Sequence, residues 1–169
     1  KQHADKHVFC GIDAVDDKSV YPNDGTINGN VVCNVAGISG KGCSFDGSSG
    51  YIRMEDSNSL SPSTITIEAW VKPTAGIDEP IIAKEGNNKW SYILHILGEK
   101  PHVYLDRDCS GGWDFSSSLN DKTSLDVTGN TWYHLVVTWD GNTVKTFVNG
   151  ELDGSPESFS GSLCDSSAW

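Results

Sequence analysis

Residues Cys43–Val71 read CSFDGSSGYIRMEDSNSLSPSTITIEAWV, and this stretch decides the fold class. In Ile65–Val71, Ile65, Ile67, Ala69 and Val71 fall on one face, and Thr66, Glu68 and Trp70 on the other. A period of two is what a strand with one buried face requires. Tyr51–Met54 is a second short alternating segment, with a polar Ser/Asn/Pro loop between the two. Ahead of them FDG and SSG signal turns. The segment Thr131–Leu152, TWYHLVVTWDGNTVKTFVNGEL, answers with a strand, a turn and another strand, its Asp140-Gly141-Asn142 and Asn149-Gly150 marking hairpin reversals.

Outward from these two segments the chain keeps the same texture. Thr26–Val35 supplies one or two short strands, and Gly37–Gly42 (GISGKG) reads as a flexible connection. Pro73 ends the strand at Val71, because proline cannot donate to a ladder. Ile81–Lys84, Trp90–Leu97, His102–Leu105 and Asp114–Ser118 read as further strands, separated by Gly- and Asp-containing turns. No longer stretch sustains helical periodicity. Residues 1–8 are a polar N-terminal arm, and 9–169 read as one domain, a length a two-sheet sandwich uses without dividing.

The formal charge is −11, from 23 acidic and 12 basic residues. Such a surface is a poor match for nucleic acid, whose phosphates need basic groups, and a good one for hard cations. No apolar run is long enough to span a membrane, and no signal peptide is visible. The five cysteines, Cys10, Cys33, Cys43, Cys109 and Cys164, contain no CxxC pair, which argues against a zinc ribbon or a thioredoxin-like site. Scattered singly, they read as disulfide partners in an oxidising, extracellular or cell-surface setting, with buried thiols as the alternative. Their connectivity is open: Cys33–Cys43 would close a short loop, Cys109–Cys164 would pin the C-terminal tail, and an odd count leaves one cysteine over.

Taken in order, SFDGSSGYIRMEDSNSLSPSTITIEAWVKP and TWYHLVVTWDGNTVKTFVNGEL resemble the laminin-G-like, concanavalin A-like lectin/glucanase jelly rolls. DKSVYPNDGT, from Asp17 to Thr26, is similar to that family's first Asp-containing loop. The resemblance implies an all-β antiparallel sandwich. Against that pattern the chain has only Ser155–Trp169 after its last hairpin, so the C-terminal strands look incomplete. An open sheet edge invites strand addition.

The resemblance also implies Ca²⁺ at the rim of the sandwich, held by loop oxygens. Asp17 occupies the matching position, with Asp13, Asp16, Asn23 and Asp24 close in sequence and Asp46 a further candidate. The competing reading is that these are ordinary turn residues bonding their own backbone. For a saccharide, a ring stacked on an aromatic beside Asp or Asn is the expected chemistry. Trp113, in the loop with Asp106, Arg107, Asp108 and Asp114, is the best candidate, whereas Trp70, Trp132 and Trp139 read as core.

Related glucanases carry ExDxE or ExDxxE on one strand, which sets two carboxylates side by side. Here Glu151, Asp153 and Glu157 are spaced ExDxxxE with Gly154-Ser155-Pro156 between them, which reads as a turn. No nucleophile triad, P-loop or HExxH is present. The expectation is a non-enzymatic, secreted binding or adhesion module for a glycan or an extracellular-matrix or surface protein, assisted by Ca²⁺. The alternative is a structural subunit of an extracellular filament, assembled by strand complementation.

Overall fold

The computed structural model describes residues 9–10, 14–74, 78–86, 89–98, 100–109, 112–118 and 129–165. The N-terminal arm, Asp13 and the polar loop after Ser118 lie outside them. The chain is an all-β, antiparallel sandwich of jelly-roll type, whose residues fall into two compact units, Lys1–Ser59 and Leu60–Trp169.

In the first unit the strands are β1 (Phe9–Cys10), β2 (Ala14–Asp16), β3 (Gly25–Asn28), β4 (Val31–Ala36), β5 (Lys41–Phe45) and β6 (Tyr51–Met54). They form one sheet in the order β1-β2-β3-β6 and a separate β4-β5 hairpin. GISGKG is the tight end of that hairpin, closed by the Gly37 N–H donating to the Gly40 carbonyl, so it is a turn and not a loose connection. Cys33 and Cys43 face each other across the hairpin and form a disulfide. Gly29 needs to be glycine, because its φ is 65° and the Ser49 carbonyl occupies the space of a Cβ.

The second unit holds β7 (Ile65–Val71), β8 (Glu79–Gly86), β9 (Lys89–Leu97), β10 (Lys100–Leu105), β11 (Phe115–Ser118), β12 (Tyr133–Trp139), β13 (Thr143–Val148) and β14 (Glu151–Ser158). They make two four-stranded sheets, β14-β13-β12-β7 and β11-β10-β9-β8. Register converts the alternation of the sequence into a core. Ile67 pairs with Val137 and Ala69 with Leu135, while Leu94 pairs with Val103 and Tyr92 with Leu105. Apart from Ala69, these side chains form one apolar cluster between the two sheets, together with Trp139, Val144, Val148, Phe115 and Phe159. Trp139 is 1% exposed, and its indole Nε1 donates to the Phe159 carbonyl at 2.7 Å, which satisfies its polar atom inside the core.

Two expectations change here. Glu151–Ser158 is a strand and not a turn, because Gly154 takes φ 76° and a register shift against β13 absorbs the Gly-Ser-Pro segment. Glu151, Asp153 and Glu157 pair with Val148, Thr146 and Val144; Asp153 is buried at 3% exposure, whereas Glu151 and Glu157 are exposed. The bulge, Pro156 and the inward Asp153 are features by which natural sheets protect an edge strand. Second, Trp70 is 50% exposed: it lies on the outer face of its sheet and stacks on its cross-strand partner His134 at 4.7 Å. Trp132 is half-buried.

After β14 the tail crosses from one sheet to the other. Phe159 N–H donates to Asn142 O, Gly161 N–H to Gly141 O, and Cys164 N–H to Asp106 O. Phe159 is buried and Leu163 packs on the core, so this short segment covers apolar surface that the hairpins alone leave open.

Candidate functional site: the rim loop after β10

The loop from Asp106 to Asp114 starts where the β9–β10 ladder ends. Asp106 N–H donates to the Ser91 carbonyl at 2.9 Å, carrying the pairing one residue past Leu105. That bond fixes Asp106 in place and buries it completely. Three residues on, Cys109 is bonded to Cys164, which ties the loop to the tail across a separation of 55 residues. The two pairings weighed from the sequence are therefore both present, and Cys10 is the odd cysteine.

The loop gathers acids. One carboxylate oxygen from each of Asp106, Asp108 and Asp114 lies within 4.8 Å of the others. Arg107 binds one of these acids and the tail. Its Nε and its backbone N–H both reach Asp114 Oδ2, its Nη1 donates to the Ser160 carbonyl, and its guanidinium covers Phe159 at 4.8 Å. Asp106 Oδ1 accepts the Asp108 N–H at 3.3 Å, and the Asp106 carboxyl is hydrogen-bonded to that of Asp114. Burial pushes the Asp106 carboxyl above the usual range. Hydrogen bonds from Arg107 hold Asp114 below it. Neighbouring Asp106 and Asp114 are thus set apart by environment, one shielded from water and one paired with a cation.

Beside the acids runs an aromatic surface. Trp113 stacks on Trp90 at 5.1 Å and packs on Tyr104 at 5.2 Å. Tyr104 in turn meets His102 and His95, which are cross-strand partners. Trp113 and Trp90 are half-buried, so part of each ring reaches solvent. Chemically, the rim offers polarisable ring faces, carboxylate acceptors and a braced backbone within one loop. The structure brings Asp106, Arg107, Asp108 and Asp114 together, and Trp113, next to Asp114 in sequence, packs on Trp90 and Tyr104. Trp90 and Tyr104 were not singled out by sequence. Tyr104 alternates with buried Val103 and Leu105, and that alternation is the signal of an outward side chain.

The acids expected to hold Ca²⁺ in the first unit are arranged differently. Asp17 accepts the Ser19 and Asn23 N–H groups and the Ser19 hydroxyl, and Asp24 accepts the Asp17 N–H. Asn23 is held by Ser57 and Ser59, and Asp16 pairs with Lys18 at 2.8 Å. Asp46 accepts three successive N–H groups, from Ser48, Ser49 and Gly50, which hold its carboxyl far below the usual range. These contacts are the local turn bonding of Asp and Asn. Asp13 lies outside the described residues. Among those described, the three-carboxylate cluster is that of Asp106, Asp108 and Asp114.

Comparison with known proteins agrees with this geometry at the level of fold. The profile of the concanavalin A-like lectin/glucanases superfamily, in its Laminin_G_3 form, matches residues 46–169. No curated protein matches the sequence. Among solved structures, the binding domain of Paraclostridial Mosquitocidal Protein 1 is similar with a TM-score of 0.72 at 15% identity, over 95% of this chain and 42% of that one. The receptor binding domain of botulinum neurotoxin C/D mosaic serotype gives 0.68 at 18% identity, over 89% and 38%. The botulinum neurotoxin serotype G binding domain gives 0.62 at 18%, over 85% and 36%. At such identities the likeness is one of fold, and the chain spans about two-fifths of the length of these structures.

Proposed function

The chain belongs to the concanavalin A-like lectin/glucanase superfamily, and on that premise we propose that it is a non-catalytic, extracellular binding module whose ligand is a saccharide held at the rim loop. One observation carries the reading: Trp113 sits in a stack with Trp90 and Tyr104 in the same loop that carries Asp106, Asp108 and Asp114. A pyranose presents an apolar C–H face to a ring and hydroxyls at its edge. Stacking on the aromatics and donation to the carboxylates would recognise both. The disulfide between Cys109 and Cys164 and the ladder bond to Ser91 hold Cys109 and Asp106 before a ligand arrives, which lowers the ordering cost of binding.

Several observations support the wider reading. Two disulfides fit an oxidising compartment. Among the described residues no helix is long and apolar enough to cross a membrane. The similar structures are titled as binding or receptor binding domains, and they lend the proposal its direction. Of the acids with a glucanase-like spacing, Glu151 and Glu157 are exposed while Asp153, between them, is buried, so a substrate has no approach to the central carboxylate.

The test is a glycan-array screen followed by calorimetry on the best saccharide. Trp113→Ala is expected to weaken that binding at least about tenfold, since one aromatic stack is worth about 0.5–1.5 kcal/mol beyond its buried area. Trp70→Ala, on the outer face of the other sheet, is expected to leave it unchanged. Binding that survives Trp113→Ala and disappears with Trp70→Ala would move the site to that face.

A further inference from the structure

We infer that His95 and His102, together with Asp78, form a site for a divalent ion of the zinc class on the outer face of the sheet that holds β8, β9 and β10. The inference stands whether or not the rim loop takes a saccharide.

Alternation sets the histidines up. Leu94 and Ile96 are buried in the core, so His95 between them points the other way, and His102 does the same beside Val103. Antiparallel pairing then puts His95 and His102 directly opposite each other. Cross-strand partners have Cβ atoms about 4.5–5.5 Å apart, a spacing from which two imidazoles reach one ion. Asp78, the residue before β8, brings a carboxylate to the same place. Its Oδ1 lies 3.7 Å from His95 Nε2. That is long for a hydrogen bond. It is close to the roughly 3.4 Å between two ligands that each bind one ion at about 2.1 Å with a tetrahedral angle.

The two rings are in the state that a metal takes. Burial holds both imidazoles below the ordinary value, so at neutral pH each is uncharged and offers a lone pair. An uncharged His95 makes no ion pair with Asp78, and its Nδ1 is buried with no hydrogen-bond partner. The ring thus lacks the bonds that hold a purely structural histidine. His102 is hydrogen-bonded to the backbone of Leu97, the kind of attachment that orients a metal-binding imidazole through its second nitrogen. The charges of Asp78, Glu79 and Glu85 all act on His95, and together they draw a cation to the pair.

The donor set indicates the kind of ion. Two imidazole nitrogens and one carboxylate suit zinc and its neighbours, whereas magnesium and calcium take oxygens. Asp78 is exposed, so the ion would have an entry path and a water in its fourth position. Bound there, it would tie the residue that leads into β8 to β9 and β10.

The experiment uses the intact chain, stripped of metal and titrated with Zn²⁺ at neutral pH, with calorimetry and Tm as readouts. Zn²⁺ is expected to bind saturably and to raise Tm, and Mg²⁺ is expected to do neither. His95→Gln and His102→Gln are each expected to weaken Zn²⁺ at least about tenfold, as is Asp78→Asn, at an exposed position where folding is not at stake. The Tm of each variant without metal shows that it folds. Parallel variants at the other side chains able to hold zinc, His134→Gln, His3→Gln/His7→Gln and Cys10→Ser, are expected to leave binding unchanged. No heat and no Tm rise with Zn²⁺ in large excess would overturn the inference, and so would an equal response to Mg²⁺. Binding that any of the substitutions at His95, His102 or Asp78 leaves unchanged would overturn it too, as would binding lost in one of the parallel variants. Saccharide binding is measured separately, so failure of the rim site and failure of this one are read independently.

Discussion

Cys164 donates its backbone N–H to the carbonyl of Asp106 at 2.8 Å. The bond joins the tail to the first residue of the rim loop, and the disulfide to Cys109 repeats the attachment three residues further on. Asp165, the next tail residue, accepts the Ser61 hydroxyl and lies 3.5 Å from the buried ammonium of Lys84. The tail that looked too short to complete a sandwich therefore has a definite task. It braces the loop that carries the candidate site.

That arrangement gives the two disulfides different weights. Cys109–Cys164 closes a loop of 55 residues and Cys33–Cys43 one of 10. On the chain-entropy view they are worth about 4 and about 3 kcal/mol respectively. The Cys109→Ser/Cys164→Ser variant is expected to lose more stability in urea unfolding than Cys33→Ser/Cys43→Ser, and it alone should also lose rim-loop binding. Equal effects on binding would contradict this division.

Two tryptophans on neighbouring strands should behave oppositely. Trp139 is enclosed in the core and hydrogen-bonded to Phe159, so Trp139→Ala is expected to cost about 3–5 kcal/mol. Trp70 stands half in solvent against His134, and Trp70→Ala should cost only about the 0.5–1.5 kcal/mol of an aromatic pair. Equilibrium unfolding of both variants decides the matter, and comparable losses would show that the outer face is covered.

Asp153 carries a buried carboxylate with neither oxygen bonded among the described residues, while Thr146 Oγ1 bonds its backbone carbonyl. Asp153→Leu should keep that backbone contact and remove an unsatisfied group, raising stability by about 1–3 kcal/mol. A lower Tm for this variant would mean that the carboxylate has a polar partner.

Stability should also fall in mildly acidic solution. Burial holds the imidazoles of His95 and His102 below the ordinary value, outweighing the nearby Asp78. With the folded value depressed, the unfolded chain takes up the proton first. The contribution of these residues is therefore complete above the unfolded value of about 6.5 and is lost as pH falls through the folded values. Tm measured between pH 7.5 and 5 should drop less in His95→Gln and His102→Gln than in the parent chain; identical slopes would refute it. Asp46, Asp140 and Asp114, whose values are also depressed, act in a separate window, below the ordinary carboxylate range.

Much of the sandwich was legible because a period of two is a local property. Ile65–Val71 and Thr143–Val148 become β7 and β13 with the bounds that the alternation gives. What local pattern does not contain is register. Trp70 looked like core because tryptophan usually is, yet its phase opposite Ile67 and Ala69 already placed it outside. Glu151–Ser158 looked like a turn because Gly-Ser-Pro breaks an isolated strand, whereas a bulge against β13 accommodates it. The rim site was half visible: Trp113 and its acidic neighbours stand together in sequence. Trp90, Tyr104 and Ser91 join them only through the β9–β10 pairing, which no spacing along the chain reveals.

The most direct measurement is an NMR titration of the ¹⁵N-labelled chain with the best-binding saccharide, following the indole N–H signals of its tryptophans. Binding at the rim loop would shift the Trp113 and Trp90 signals and leave those of Trp139, enclosed in the core, and Trp70, on the opposite sheet, in place. A titration that moves Trp70 while Trp113 and Trp90 stay fixed would contradict a ligand site at the rim.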